Sequence, residues 1–536
     1  MRPATLNALF EAAVLQHTQL PCLEFLGRRW SYGDVGSLVA RVAGGLVAMG
    51  VRPGDRVGLC LPNSVHYVVS YFAILRVGGI VVNFNPLYAP PELDFQARDA
   101  GVGVMITTDL KPVLGRVLAL LDAGVIAGVV VCPFASGLSM FKAVGFQLMK
   151  RAMVAPRPAG SDRVRFWRNL IAASPADASA EVSPGAIAVL QYTGGTTGTP
   201  KGVMLSHANL ATNACQVSEW FPDSRIGEER VLAVLPLFHV FAMTVAMNAA
   251  LTWGAEIVLL PRFEMPQLLQ ALRRRRPTVI PGVPTLFRAI LDKGAVASDL
   301  SSVRVCISGG AALPRSVQRD FERIAGCRLV EGYGLTEASP VCFCNPVSGP
   351  GRDGTIGLPL AGIEADIRAI DDPAHSLARG ERGELCLRGP NVMLGYWHRP
   401  EETLATLTPD GWLRTGDVGV MDADGYVELV DRIKDLIICS GFNVYPRSIE
   451  DALYTHPDVV AATAIGVPDD YRGESVAAFV QLRPGSNATP ETLTDYLRDR
   501  LSPIELPRHI ELRDELPRTA IGKLSRKELR VEMLSR

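Results

Sequence analysis

One glycine- and threonine-rich stretch, residues 191–202, constrains the fold more than any other part of the chain. Its sequence is Gln-Tyr-Thr-Gly-Gly-Thr-Thr-Gly-Thr-Pro-Lys-Gly, with three glycines ahead of Lys201. Glycines let backbone N–H groups converge on an anion, threonine hydroxyls add donors, and the lysine adds a positive charge. The order Pro-Lys-Gly differs from that of a Walker A loop, so the stretch predicts a polyphosphate-binding loop outside the P-loop fold. Taken alone, it is also compatible with a mobile polar turn.

Further motifs follow this loop along the chain. Residues 331–340 have the sequence Glu-Gly-Tyr-Gly-Leu-Thr-Glu-Ala-Ser-Pro, in which two glycines flank Tyr333. The backbone can approach a ligand there, the ring offers a stacking face for a base, and Glu337 offers a carboxylate of the kind that holds Mg²⁺ beside phosphate oxygens. Residues 411–419 contain Asp417, residues 431–446 form a charged and then apolar run, and residues 516–529 place Lys523 on a turn near the C-terminus.

The order and spacing of these motifs resemble those of the adenylate-forming superfamily, which includes acyl-CoA synthetases, luciferases and peptide-synthetase adenylation domains. They look most like the long-chain fatty acyl-CoA synthetase branch, and the resemblance covers nearly the whole chain. It implies that a fatty acid carboxylate attacks the α-phosphate of ATP, with release of pyrophosphate, and that CoA then displaces AMP from the acyl-adenylate. ATP, Mg²⁺ and CoA are therefore the expected cofactors and co-substrates.

The resemblance also implies a role for individual residues. Those expected to act in catalysis are Lys201, Thr336, Glu337 and Lys523, and those expected to hold the metal are Glu337 and Thr196. Those expected to bind ATP or AMP are Thr193, Gly194, Gly195, Thr196, Thr197, Gly198, Thr199, Gly309, Gly310, Ala311, Gly332, Tyr333, Gly334, Asp417 and Arg432. Those expected to line the acyl pocket are Phe238, His239, Phe241, Gly282 and Val283. Lys434 corresponds to a hinge, and the residues expected along the CoA channel are Ser440, Gly441 and Phe442. For His239, a structural histidine in the core is an equally good interpretation.

Composition limits the class of protein. A chain of 536 residues has room for three or four units of about 150 residues each. The net charge of −1 gives no reason to expect a nucleic-acid partner. Ten scattered cysteines without a Cys-x-x-Cys pair suit a reducing compartment, and the N-terminus lacks the pattern of a signal peptide. We therefore expect a cytoplasmic protein, with peripheral contact at the inner membrane surface left open.

Short apolar segments alternate with helical periodicity in the first half of the chain. Predicted strands at residues 56–63, 79–83, 102–107 and 125–132 alternate with helices, which indicates mostly parallel sheets covered on both faces. With the resemblance, we expect an α/β fold. Its large N-terminal domain, residues 1–431, has layered β/α subdomains and a small distorted β-barrel that includes residues 383–397. A small mobile α+β domain, residues 432–536, follows it and acts as a lid.

Two segments raise the question of membrane contact. Residues 231–251 form an apolar run that is long enough to span a bilayer. Pro236, His239 and Asn248 interrupt this run, which favours a buried element. Residues 142–168 carry seven basic residues and one acidic residue among aromatic and aliphatic ones. They fit a membrane-surface segment, although their irregular periodicity favours a solvated excursion between strands.

Several functions remain compatible with the sequence. Besides the CoA ligase, they are an acyl-AMP ligase that delivers to a carrier protein, a ligase for medium-chain or aryl acids, and a non-catalytic lipid-binding protein. The absence of an inserted block between the two domains disfavours the acyl-AMP ligase, and retention of Lys201, Glu337, Asp417, Arg432 and Lys523 disfavours the binding protein. Oligomeric state stays open, with a homodimer as one option.

Overall fold

Parallel strands flanked by helices dominate this computed structural model, which describes residues 3–176, 180–193, 200–294, 296–349, 351–440, 442–469, 471–518 and 524–534. Within these ranges the strands form sheets of nine, eight, five and four strands. Contacts divide the chain into two compact units, of which the smaller comprises Gly354–Ile356, Ala365–Leu387 and Arg414–Arg536. The predicted α/β class, with a large N-terminal part and a small α+β C-terminal part, is confirmed.

The eight-stranded sheet belongs to the larger unit. In order across the sheet its strands are Gly395–Tyr396, Lys201–Ser206, Ile187–Thr193, Ile80–Asn83, Arg56–Cys60, Val104–Thr108, Gly128–Cys132 and Val164–Phe166. Its central strands pair in parallel and are buried along almost their whole length. Parallel strands covered on both faces need such continuous apolar runs, which is why the four strands predicted in this region are correct.

The nine-stranded sheet also belongs to the larger unit. In order across the sheet its strands are Leu358–Pro359, Val341–Cys344, Arg328–Gly334, Val305–Ser308, Val279–Gly282, Arg230–Ala233, Glu256–Leu259, Pro21–Phe25 and Arg28–Ser31. The middle strands are parallel. Their carboxyl ends therefore meet at one edge, where open α/β sheets bind ligands.

Helices cover both sheets of the larger unit. They are Leu6–Gln16, Tyr32–Ala48, Val65–Arg76, Pro90–Ala100, Lys111–Asp122, Met140–Met149, Trp167–Ile171, His207–Glu219, Val240–Ala242, Ala249–Thr252, Met265–Arg275, Pro284–Asp292, Ala297–Leu300, Arg315–Ala325 and Pro400–Thr406. Residues 273–276 are four arginines before Pro277, an order that predicts a helix end. The helix Met265–Arg275 does end there, because Arg276 is left-handed with φ 51° and Pro277 follows. The run thus lies at a helix C-terminus, where basic side chains are favourable.

The apolar run at residues 231–251 is a buried element of this unit. It begins in the strand Arg230–Ala233 and continues as Val240–Ala242, a π-helical stretch Met243–Asn248 and Ala249–Thr252. Every residue from 242 to 251 is buried. In the described part of the chain, no helix is long and apolar enough to cross a membrane.

The smaller unit contains the remaining two sheets. The strands of the four-stranded sheet are Glu364–Arg368, Arg382–Arg388, Leu413–Met421 and Val427–Arg432. Those of the five-stranded sheet are Phe442–Val444, Ile437–Cys439, Gly473–Leu482, Val459–Asp469 and His509–Leu512. The helices of this unit are Pro446–Tyr454, Pro490–Arg498 and Arg526–Leu534. Leu453, Leu493 and Leu497 are fully buried against the larger of these sheets.

A buried ion cluster ties the C-terminal helix to the segment that ends the four-stranded sheet. Arg526 makes two 2.8 Å hydrogen bonds to the carboxylate of Glu450 and lies 3.3 Å from Asp431 and 3.1 Å from Asp435. Arg530 lies 3.4 Å from Asp435. Three carboxylates from three elements therefore share one guanidinium, which is well suited to such multiple pairing.

The structure bears on two predictions about domain organisation. The prediction that residues 383–397 all belong to a small barrel is wrong, because Gly395–Tyr396 pairs with Lys201–Ser206 in the eight-stranded sheet. Contacts also place the unit boundary elsewhere than at residue 431, since the four-stranded sheet groups with the C-terminal residues. A boundary at residue 431 would mark a hinge and not the border between two packed units. The boundary at residue 431 stays a prediction.

Candidate active site

The motif at residues 191–202 joins two neighbouring antiparallel strands. Thr193 ends one strand and is paired in register with Lys201, which begins the next. The backbone pairing with Thr193 therefore holds Lys201 at the end of its strand. The other predicted phosphate contacts lie outside the described residues; these are Gly194, Gly195, Thr196, Thr197, Gly198 and Thr199.

Tyr396 connects Lys201 with Glu337. Its hydroxyl donates a 2.8 Å hydrogen bond to Glu337 Oε1, and its ring centroid lies 5.1 Å from the Nζ of Lys201. Burial, and then the charge of Glu337, raise the pKa of the Tyr396 phenol well above its ordinary value. The phenol therefore stays protonated and acts as a donor that fixes one carboxylate oxygen, while its face attracts the ammonium.

The turn that carries Thr336 and Glu337 depends on Gly334. A Cβ at Gly334 would lie 1.8 Å from the carbonyl oxygen of Pro340, and the N–H of Leu335 donates to that same oxygen over 3.1 Å. Only glycine allows the two chain segments to approach so closely. The sequence Gly-Leu-Thr-Glu thus sets up a short helical turn, Thr336–Ala338, directly after the strand Arg328–Gly334.

Polar side chains from other elements fix this turn. Asn391 donates to the carbonyl of Ala338 over 2.7 Å, and Thr244 donates to the carbonyl of Ser339 over 2.7 Å. Asn213 accepts a 3.0 Å hydrogen bond from the N–H of Val341 and donates back to its carbonyl over 2.7 Å. Sequence analysis missed these residues and Tyr396. In the sequence, Tyr396 follows Gly395 and precedes the aromatic rings of Trp397 and His398. This was the one local indication of a close-packed position.

The remaining predicted nucleotide residues of the larger unit lie at strand ends of the nine-stranded sheet. Gly309, Gly310 and Ala311 directly follow the strand Val305–Ser308, and Gly332, Tyr333 and Gly334 end the neighbouring strand. The Tyr333 ring is half-buried and packs edge-on against Phe343, with centroids 6.1 Å apart. These are carboxyl ends of parallel strands, where a nucleotide site is expected.

The predicted acyl-pocket residues divide between two places. A Cβ at Gly309 would lie 2.9 Å from the Phe241 ring, so this ring borders the predicted nucleotide segment. His239 Nδ1 accepts a long, 3.5 Å hydrogen bond from the N–H of Phe241, and the carbonyl of Phe238 accepts one from Gln191 over 3.0 Å. His239 thereby caps the helix that presents Phe241. This contact is compatible with either interpretation of the histidine.

Gly282 ends the next strand of the same sheet, and Val283 directly follows it. A Cβ at Gly282 would lie 2.7 Å from the Phe287 ring, and the Gly282 carbonyl accepts a 3.0 Å hydrogen bond from the N–H of Gly309. Val283 packs on the buried cluster that contains Phe287. Their local role is thus to let a helix pack close behind the strand ends.

The predicted residues of the smaller unit include one close pair. Asp417 and Arg432 are register partners on adjacent strands, and Arg432 Nε lies 2.9 Å from Asp417 Oδ1. The Asp417 side chain is buried and that of Arg432 about half exposed. Burial lowers the pKa of the Lys434 amine, and the charge of Arg432 lowers it further.

Ser440 and Phe442 are exposed, the latter at 64%. Ser440 has a left-handed φ of 53° and its N–H donates to the carbonyl of Arg472 over 2.7 Å. Gly441 and Lys523 lie outside the described residues.

Among the described residues, Glu337 is the predicted metal ligand of this site. In the ranges that the structure describes, no group of three or more histidine, cysteine, aspartate or glutamate side chains could hold a metal. Glu337 offers a carboxylate, and Tyr396 engages one of its oxygens. Mg²⁺ accepts this type of site, because it often combines one or two carboxylates with water and substrate phosphate oxygens.

Comparison with known proteins agrees with this arrangement. A family model described as AMP-binding enzyme matches residues 10–397, and a model described as AMP-binding enzyme C-terminal domain matches residues 448–523. The chain belongs to the AMP-binding enzyme family. The resemblance inferred from the motifs is therefore confirmed.

Relatives of this AMP-binding enzyme match over nearly their full length. A long-chain-fatty-acid–CoA ligase of Bacillus subtilis (strain 168) is 40% identical over 534 residues, covering 98% of this chain and 94% of the relative. One of Escherichia coli O157:H7 is 37% identical over 540 residues, covering 99% and 95%. The crystal structure of ATP-bound MatB from Rhodopseudomonas palustris has a TM-score of 0.86 at 30% identity, covering 98% of this chain and 99% of that one.

Proposed function

We propose that this chain is an ATP-dependent acid–thiol ligase that activates a long-chain fatty acid as its acyl-adenylate and transfers the acyl group to CoA. The observation that carries the proposal is the joining of Glu337 to the Lys201 strand through Tyr396. This contact links the phosphate-loop motif, residues 191–202, with the motif at residues 331–340. A non-catalytic lipid-binding protein would not need such a link. The likeness to long-chain ligases over almost the whole chain supports the acyl substrate.

In the proposed first reaction, a carboxylate oxygen of the acid forms a bond to the α-phosphorus of ATP. The bond from that phosphorus to the bridging oxygen breaks, and pyrophosphate leaves. The main barrier is repulsion between two anions, so fixed positive charge and donors stabilise the transition state. Lys201, Lys523 and Thr336 would supply them, and the buried phenol of Tyr396 would keep the Glu337 carboxylate in one orientation.

Mg²⁺ fits the Glu337 carboxylate together with the phosphates, and when bound it would supply further positive charge there. Thr196 is proposed as an additional ligand. Asp417 and Arg432 are proposed to bind the ribose of the nucleotide, for which a buried carboxylate on a rigid strand pair is well suited. The acid arrives as a carboxylate, so His239 is proposed to shape the wall near Phe241 and not to act as a base.

In the proposed second reaction, the CoA sulfur forms a bond to the acyl carbon, and the carbon–oxygen bond to AMP breaks. The thiol proton is released and AMP leaves with the bonding electrons. We propose that the C-terminal domain, residues 432–536, turns at Lys434 and brings the segment with Ser440, Gly441 and Phe442 to the thiol's path, in place of Lys523. Separate geometries for two chemically different reactions are a recognised use of moving domains.

Two further proposals concern partners. Residues 142–168 would make a peripheral membrane contact, and the chain would form a homodimer. Sedimentation velocity of the purified protein tests the second, and a single monomeric species at high concentration would contradict it.

The test of the function is a pyrophosphate-release assay with ATP, Mg²⁺ and a panel of acids, followed by thioester detection after CoA is added. We expect greatest release with palmitate, less with octanoate and least with ferulate or benzoate. Thioester formation should depend on CoA. No ATP consumption with any acid would favour the lipid-binding alternative. Acyl-adenylate that accumulates and is transferred to a carrier protein but not to CoA would favour the acyl-AMP ligase.

A further inference from the structure

The helix Met140–Met149 directs large apolar side chains into solvent. Phe141 is 85% exposed, Leu148 77% and Met149 83%, and Met140 and Val144 are also more than half exposed. Met140, Val144 and Leu148 follow one another at intervals of four, so they form a stripe along one side of the helix. Isolated exposed apolar residues are ordinary, but a contiguous group of five is typical of a contact surface.

The opposite side of this helix is attached to the larger unit. The Phe146 ring packs against Phe134 with centroids 5.2 Å apart, and Ala143 is half-buried. Phe134 in turn packs edge-on against the fully buried Phe25 of the nine-stranded sheet, at 5.6 Å. The apolar stripe is therefore presented on a fixed base, and its exposure follows from how the helix is anchored.

The charged residues along the segment that carries the stripe have one sign. The chain contains no aspartate or glutamate from residue 123 to residue 161, whereas Lys142, Lys150, Arg151 and Arg157 fall within this interval and are exposed. Arg28 is also nearby, since it donates to the carbonyl of Ser136, just before the helix. The surface thus combines apolar side chains with a cationic rim. We call the helix Met140–Met149 with this rim the cationic apolar helix.

Charge complementarity distinguishes between the occupants of such a surface. A second copy of the chain would normally pair the same patch on both subunits through a two-fold axis. That pairing would bring the two cationic rims together, which is unfavourable. A bilayer that contains anionic lipids offers an apolar interior for the stripe and phosphate groups for the rim.

We propose that the cationic apolar helix docks the protein on the surface of an anionic phospholipid bilayer. Phe141, Val144, Leu148 and Met149 insert among the acyl chains, and Lys150 and Arg151 contact the lipid phosphates. The helix has ten residues, so it lies in the interface and does not span the bilayer. The proposal is independent of which acid is the substrate.

Vesicle co-sedimentation of the full chain tests this proposal. We expect binding to vesicles of phosphatidylcholine mixed with phosphatidylglycerol, weaker binding to phosphatidylcholine alone, and loss of the difference at high salt. The double variant F141S/L148S should lose at least tenfold in partition coefficient. The matched control L15S removes a leucine that is 81% exposed on another helix and should bind as wild type. Equal loss in L15S would mean nonspecific adsorption and would overturn the proposal.

The charged residues are tested separately with K150Q/R151Q. Each charge removed should weaken binding to the anionic vesicles about fivefold, since a basic residue near an anionic surface contributes about 1 kcal/mol. Binding to neutral vesicles should not change. Equal wild-type binding to neutral and anionic vesicles would contradict the role of the rim.

All variants are first compared with wild type for thermal midpoint and for activity on a water-soluble acid, so that misfolding is recognised. Retained vesicle binding in F141S/L148S would overturn the proposal. A dimer that dissociates in this variant, with wild type failing to bind vesicles, would assign the surface to a second copy instead.

Discussion

The contact between Tyr396 and Glu337 gives the sharpest test of the site. Replacing Tyr396 by phenylalanine removes the hydroxyl that donates to Glu337 Oε1 over 2.8 Å and keeps the ring beside Lys201. A hydrogen bond to a charged acceptor contributes about 1.5–3 kcal/mol. If that contact holds the carboxylate in its working orientation, adenylation should slow by roughly ten- to a hundredfold.

The assay measures the two half-reactions separately as a function of Mg²⁺. Pyrophosphate release by Y396F should need more Mg²⁺ and should have a lower kcat, because Tyr396 acts through Glu337 and is a positioning residue. Thioester formation from supplied acyl-adenylate should stay near the wild-type rate. A purely structural role for the tyrosine would lower both half-reactions together and leave the Mg²⁺ dependence unchanged.

The matched control is Y32F. Tyr32 is fully buried, and its hydroxyl donates to the carbonyl of Ala255 over 2.9 Å, so the same atom is lost at a site with no role in the proposed chemistry. We expect a loss of about 1 kcal/mol of unfolding free energy and unchanged adenylation. If Y396F and Y32F behave alike in the Mg²⁺ titration, the reasoning about Glu337 is wrong.

The remaining predictions concern the C-terminal domain and pH. K523A should slow adenylation at least a hundredfold, the usual cost of removing one electrostatic donor, and largely spare thiolysis of supplied acyl-adenylate; equal loss in both would count against domain rotation. R526M should lower the unfolding free energy by about 3–5 kcal/mol, because it leaves buried carboxylates unpaired, whereas R530M removes a more exposed partner and should cost under about 1 kcal/mol; urea unfolding that gives equal losses would refute this ranking. Burial lowers the pKa of His66 to about 3 and that of His207 to about 4, so the unfolded state binds more protons below about pH 6.5 and stability should fall as pH drops. Each histidine should account for up to about 2 kcal/mol near pH ~5, and a pH dependence of urea unfolding that H66Q and H207Q leave unchanged would contradict this.

The sequence predicted the family and much of the fold, for identifiable reasons. The strands near residues 56, 80, 104 and 128 are continuous apolar runs bounded by helices, and a buried parallel strand leaves few other choices. The helix end at Arg275 follows from a local rule about proline. Lys201, Thr336 and Glu337 are predicted site residues because glycines and the order of the motifs surround them, and their roles stay predictions.

The sequence did not predict what depends on distant partners. Tyr396 was assigned with a barrel segment, because nothing local distinguishes a strand that continues a small sheet from one that pairs with Lys201–Ser206. The helix Met140–Met149 was hidden in a segment of irregular periodicity, since periodicity reports a buried face and this helix buries little of its surface.

The amino-acid sequence by itself determined the chemistry that the chain can perform and the strands that build its interior. Both rest on local properties: backbone freedom at glycine, the charge of a side chain, and the apolar character of a buried run. The tertiary structure alone decided which hydroxyl holds Glu337 and which apolar face is left in solvent. Those outcomes depend on contacts between residues far apart in the chain, and such contacts form only when whole elements pack.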